Sequence, residues 1–230
     1  METRDTTQEV KQLGTRGRLV GWSSLVIGLI ALQYASRLGG GKPPRDILYK
    51  YSTAASSAVV YGILLALVLW IAGSRTDLLM LRRPASWPRA LGLAVLLLIG
   101  VFIAIALLDP ILHGAREQGL TPKSWEPSHK WEYAANFVVI AIVAPIVEEL
   151  TFRGLGFSLL ERFGTWTAIV AIGITFALAH GLFEAFPELA LFGCALAWLR
   201  WKTKSVYPGM LLHGTFNSIS LIAAVTATHH

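Results

Sequence analysis

One apolar run that ends in two adjacent acids constrains this chain more than any other stretch. Residues 137–146 carry no polar side chain, and Val147 is followed at once by Glu148 and Glu149, then by Leu150, Thr151, Phe152 and Arg153. Such a segment belongs in lipid or in a buried core. A carboxylate there is expensive unless it is paired or put to use.

The rest of the chain places that segment in a membrane. Of 230 residues, 54% are hydrophobic and only 15% are charged, and the mean hydropathy is +0.55. That is too apolar for a soluble domain of this length. The expected fold is all-α, a polytopic transmembrane helical bundle of about seven spans (six to eight). Spans are expected near residues 19–36, 52–72, 91–108, 131–160, 165–183, 189–201 and 206–225. The polar residues 1–18 read as a tail or a short surface helix. A signal peptide is the rival reading of the first run, but the leader is long and no small-x-small site follows, so an uncleaved span is expected. Gly39, Gly40 and Gly41 with Pro43 and Pro44 stop the first span. No Pro or Gly interrupts residues 146–153, so the fourth helix should run on past the glutamates toward Leu160. The longest loop, residues 109–132, could lie along the membrane surface or lid a cavity. Residues 1–132 divide as a tail with three spans, and residues 133–224 as the core that carries the chemistry.

The net charge of +6 reflects short basic loops that set topology, and nucleic-acid binding is not expected. With seven spans, 13 Lys and Arg fall on the side of the N-terminus and 7 on the other. The N-terminus is therefore expected in the cytoplasm. Seven of the eight tryptophans, including Trp22, Trp70, Trp131 and Trp166, fall near span ends, where an amphipathic ring prefers the interface. Cys194 is the single cysteine, so it forms no intramolecular disulfide and should pack as a small hydrophobe. His229 and His230 are left out of any metal argument.

Three short patterns carry candidate chemistry: Glu148-Glu149 with Arg153, Phe176 with His180, and His213 with Asn217. Residues four apart on a helix share a face. Glu149 can therefore pair with Arg153, while Glu148, turned about 100° away, lacks that partner. A carboxylate in a cavity of low dielectric binds protons more tightly and can do general acid–base work. Asn217 lies on the face of His213 and could either stabilise an oxyanion or bridge helices. Phe176 can wall the site and hold His180. Glu184 could orient that imidazole, although a solvated loop end is the simpler reading. At 1.5 Å per residue, Glu148 lies roughly 20–25 Å from the start of its helix and His213 roughly 10 Å into a helix entered from the opposite side. These depths agree. His180 falls near the far end of its span, so either that helix extends into residues 181–187 or the segment dips inward.

At these residues the sequence resembles the CAAX prenyl endopeptidase and bacteriocin-processing family, also called CPBP or Abi proteins. All three motifs occur in order inside hydrophobic spans, over roughly residues 133–224. The resemblance implies an intramembrane endopeptidase with its active site in an intramembrane cavity. By analogy Glu148 activates water, His180 and His213 complete the site, and Asn217 stabilises the oxyanion. Glu149 and Arg153 take a supporting or second catalytic role. Glu148, His180 and His213 could hold one divalent metal, zinc, but His-Glu-x-x-His is missing and a metal-free glutamate mechanism fits equally well. The implied substrate is a peptide or membrane-associated protein, in some relatives lipidated. The short interval between His180 and His213 favours a prokaryotic cell-membrane member with another client. Two rival functions remain: a non-catalytic immunity or binding protein, and a proton-coupled transporter.

Overall fold

The computed structural model describes residues 3–40, 46–117 and 125–226. Gly41, Pro43 and Pro44, part of the longest loop, and His229–His230 lie outside the described residues. Seven long helices run through the described chain: α1 Thr3–Gly40, α2 Tyr51–Ala72, α3 Trp87–Leu112, α4 Pro127–Phe163, α5 Thr165–Leu178, α6 Phe186–Thr203 and α7 Tyr207–Thr226. Among the described residues there is no strand. Five of the helices (α1 from Gly14, α2, α3, α4 and α7) are long and apolar enough to cross a bilayer. The chain folds as a helical membrane bundle, as its hydropathy requires. The polar leader is not a separate element, because its backbone continues directly into α1.

Helix α4 passes straight through both glutamates. Its winding widens to π-type turns at Val139–Val143 and again at Glu149–Gly156. The first widening precedes Pro145, which has no N–H to give to the carbonyl of Ala141 and whose ring crowds it. Two neighbours use this irregularity. Asn217 donates from Nδ2 to the Ile140 carbonyl at 2.9 Å. Gly214 lies so close that an added Cβ would sit 2.8 Å from the Ala141 carbonyl. Helix α7 is thereby docked on the loosened turn of α4.

Elsewhere, too, glycines let backbones approach where lipid supplies no hydrophobic drive between helices. A Cβ on Gly193 of α6 would meet the Gly173 Cα of α5 at 2.8 Å, and one on Gly173 would collide with the Cys194 sulfur. Cys194 packs in that crossing, as expected of a small hydrophobe. Gly156 of α4 lies against the indole of Trp22. Trp22 is buried, and its Nε1 donates to the Thr151 carbonyl at 2.9 Å. This corrects its expected place at the interface: a packing partner and an acceptor inside the bundle outweigh the headgroup region. Trp70, Trp131 and Trp166 are exposed near helix ends, as expected.

The loops gather at the two ends in the expected way. At one end, Arg18 donates to the Ala72 carbonyl, Ser158 to that of Leu78, and Arg82 to that of Lys204. Arg200 corrects the charge tally. It does not face the surface but is buried, bonded to the Arg153 carbonyl, Glu161 and Ser158, and stacked on Phe157. With Arg153 also internal, 11 basic residues remain against 7.

At the other end, α5 stops at Leu178 and does not extend into residues 181–187. The chain turns through Gly181, whose φ is +65°, and re-enters as α6. A Cβ on Gly181 would press on Gln33 of α1, well short of that helix's end at Gly40. The turn is thus the inward dip that His180 required. Glu117, in the short helix Gly114–Glu117, closes it. Its carboxylate accepts from the backbone N–H groups of Phe183, Glu184 and Ala185 and pairs with Arg37 at 2.9 Å.

Burial works to raise the Glu117 pKa, but the three N–H donors and Arg37 outweigh it and hold the carboxyl below its ordinary value. A depressed folded pKa stabilises the fold above the unfolded value, near 4.3, and the contribution disappears as pH falls through the folded value. Glu117→Gln should therefore lower the melting temperature at pH ~7, and the difference from the parent should vanish in acid below the ordinary glutamate range. Thermal melts in detergent across that window check both halves.

Candidate active site

The widened turn of α4 holds the acids. Glu149 and Arg153 are fully buried and pair through Oε1 and Nη1 at 3.0 Å, as their spacing predicts. Arg153 also donates from Nη2 to the Gly193 carbonyl at 3.1 Å, and its guanidinium lies 4.2 Å from the centre of the Phe176 ring. One side chain of α4 thus grips both α5 and α6. Only part of the pair's bonding is completed: Arg153 Nη2 and Glu149 Oε1 have further partners, while Arg153 Nε and Glu149 Oε2 have no hydrogen-bond partner, so the pair carries a desolvation cost.

His213 of α7 sits between the two glutamates. Its Nδ1 lies 3.3 Å from Glu149 Oε1, and its Nε2 lies 3.8 Å from Glu148 Oε2. A carboxylate accepts only, so Nδ1 carries the proton toward Glu149; in the uncharged tautomer Nε2 then presents its lone pair toward Glu148. Glu148 Oε1 is taken up elsewhere, by the Tyr61 hydroxyl of α2 at 2.7 Å.

His180 lies one turn beyond Phe176, just past the end of α5. Its Nδ1 bonds the Phe176 carbonyl at 2.7 Å, which leaves the lone pair of the neutral ring on Nε2. Both imidazoles touch Phe176, with ring centres 4.6 Å away for His180 and 5.7 Å for His213. Phe176 therefore walls the site as expected. Asn217 shares the α7 face with His213, and one of its amide hydrogens is committed to Ile140, the bridging contact foreseen for it. Glu184 is exposed.

The structure therefore brings together Glu148, Glu149, Arg153, Phe176 and His213. His180 joins them through Phe176, by ring contact and by its bond to that residue's carbonyl. No group of three or more His, Cys, Asp or Glu side chains among the described residues is gathered so as to hold a metal ion. No step of the chemistry is drawn through a metal.

Sequence reasoning missed Tyr61. A hydroxyl in the middle of an apolar span needs a partner, and that was the available signal. An apolar groove of about 600 Å³ also runs along the outside of the α4–α7 crossing. It is lined by Ala141, Ile142, Ile146, Met210, Leu211 and Gly214, and none of the site residues faces it.

The fold and these contacts define a helical membrane protein with an acid–imidazole cluster inside its bundle. Residues 130–219 match the family model described as type II CAAX prenyl endopeptidase Rce1-like, which supports the resemblance read from the three motifs. No curated protein and no solved structure matches the chain.

Gly209, one turn before His213, lets Glu149 reach its place. A Cβ there would lie 2.5 Å from Glu149 Oε2, and Arg153 and His213 hold that carboxylate so that it cannot swing aside. Gly209→Ala should cost about 1–3 kcal/mol, read as a lower melting temperature in detergent. An unchanged melting temperature would contradict the close approach.

Proposed function

We propose that this chain is an intramembrane endopeptidase that hydrolyses a peptide bond with water activated by Glu148. The observation that carries the reading is the placement of His213 between two glutamates with opposite duties. Glu149 receives the Nδ1–H and fixes the ring, while Glu148 faces Nε2 across 3.8 Å. That gap is too long for a direct hydrogen bond, and one water to the side of it can bond to both groups.

Glu148 takes a proton from this water as its oxygen attacks the carbonyl carbon of the scissile bond. The C–N bond then breaks, and the proton passes from Glu148 to the leaving amine nitrogen. His213 can accept a hydrogen bond from this water at Nε2, and His180 presents the same kind of acceptor. The second amide hydrogen of Asn217 can donate to the oxyanion. Arg153 holds Glu149 and neutralises it, so that Glu148 is not opposed by a second free carboxylate. The family description supports a peptide substrate met at the membrane, and a lipidated peptide is the first probe to try. We place the N-terminus in the cytoplasm. Reporter fusions at the N-terminus and in the 73–90 loop should both report the inner side.

The direct test uses the purified full chain in liposomes with a farnesylated CAAX peptide, alongside peptide profiling of membranes with and without the protein. Glu148→Gln should lower cleavage by at least ~100-fold while the melting temperature holds. Chelation to metal-free protein should leave the parent's rate unchanged. Turnover by Glu148→Gln at the parent's rate would remove its assigned role, and a rate that falls on chelation and returns with zinc would call for a metal mechanism.

A further inference from the structure

Tyr61 lies ten residues past the start of α2, roughly 15 Å along the helix and so near the middle of the bilayer. It belongs to none of the three motifs and lies outside the matched segment 130–219. Its ring packs on the core, and its hydroxyl is spent on one atom, Glu148 Oε1, at 2.7 Å. A carboxylate can only accept from a phenol, so the O–H donates, in the short, charge-assisted kind of bond.

The last torsion of a glutamate is broad and roughly two-fold. Packing alone therefore does not fix the plane of the Glu148 carboxylate, and a hydrogen bond must. The two oxygens have unlike surroundings: Oε1 holds Tyr61, and Oε2 faces His213 Nε2 at 3.8 Å.

We infer that Tyr61 is a positioning residue: by occupying Oε1 it fixes the plane of Glu148 and leaves Oε2, the oxygen facing His213, to work on the water. The inference rests on the hydrolytic reading above. It also makes α2 part of the working site, so the motif-bearing segment 130–219 is incomplete without it. Loss of the hydroxyl frees the carboxylate to rotate and spreads the proton-accepting lone pairs over orientations that miss the water. Misplacement on this scale lowers turnover more than binding.

The test compares the full chain, Tyr61→Phe and Glu148→Gln. Infrared difference spectra against Glu148→Gln isolate the Glu148 carboxylate band without any substrate. Tyr61→Phe should shift that band. With the farnesylated CAAX peptide it should lower kcat about 10- to 100-fold, with KM changed less than about twofold. A fluorinated tyrosine placed at position 61 keeps shape and donor. It should restore turnover and displace the band by strengthening the bond, and it keeps the test decisive should Tyr61→Phe misfold. An unmoved band, or a kcat within about twofold of the parent, overturns the assignment. If the parent cleaves no probe peptide, the hydrolytic reading falls, and the band alone decides whether Tyr61 holds Glu148.

Discussion

The ion pair of Glu149 with Arg153 is the interaction on which the rest of the bundle depends. Both side chains are fully buried, and removing one partner of such a pair leaves an uncompensated charge, at a cost of about 3–5 kcal/mol. The surrounding helices supply part of its bonding, although Arg153 Nε and Glu149 Oε2 stay without a hydrogen-bond partner. Arg153 reaches the Gly193 carbonyl of α6 and lies over Phe176 of α5. Glu149 takes the imidazole of His213 from α7. Four helices are thus tied at one point, and that point orients the ring facing Glu148. Stability and site geometry here have the same cause.

Close approach of backbones makes the tie possible. Lipid tails are as apolar as leucine, so helices in a membrane associate through packing and polar contacts. Gly173 against Gly193, Gly156 against Trp22, Gly209 against Glu149 and Gly214 against the Ala141 carbonyl each remove a Cβ where two elements must meet. The widened turns of α4 add to this. A π-type turn leaves carbonyls turned out of the ladder, and the polar groups of neighbouring helices take them up: Asn217 at Ile140, Trp22 at Thr151 and Arg200 at Arg153. The irregular helix that presents the acids is also the one whose backbone the other helices hold.

Much of this was legible in the chain. Hydropathy placed the helices to within a few residues, except that the leader joined α1 and α5 stopped early. The i,i+4 spacing placed Glu149 with Arg153 and put His213 and Asn217 on one face, because those relations are local and set by 3.6 residues per turn. The reading of residues 146–153 as uninterrupted helix held for the same reason. Contacts between segments were harder. Trp22 and Arg200 looked like interfacial residues, since their type and position at span ends are common to buried and exposed cases alike. Nothing in the spacing of Tyr61 and Glu148, 87 positions apart, links the phenol to the acid.

The sequence by itself determined an all-helical membrane chain with two acids, two histidines and an asparagine inside its apolar segments. It did so because the cost of burying polar groups in lipid, and the period of the helix, act over a few turns of one segment. Tertiary structure decided the bond each group makes: His213 between the glutamates, Asn217 on the Ile140 carbonyl of the widened turn, His180 on an inward turn held by Glu117, and Tyr61 on one oxygen of Glu148. Those choices depend on how closely and at what height separate helices cross, which glycines, widened turns and buried charges settle together.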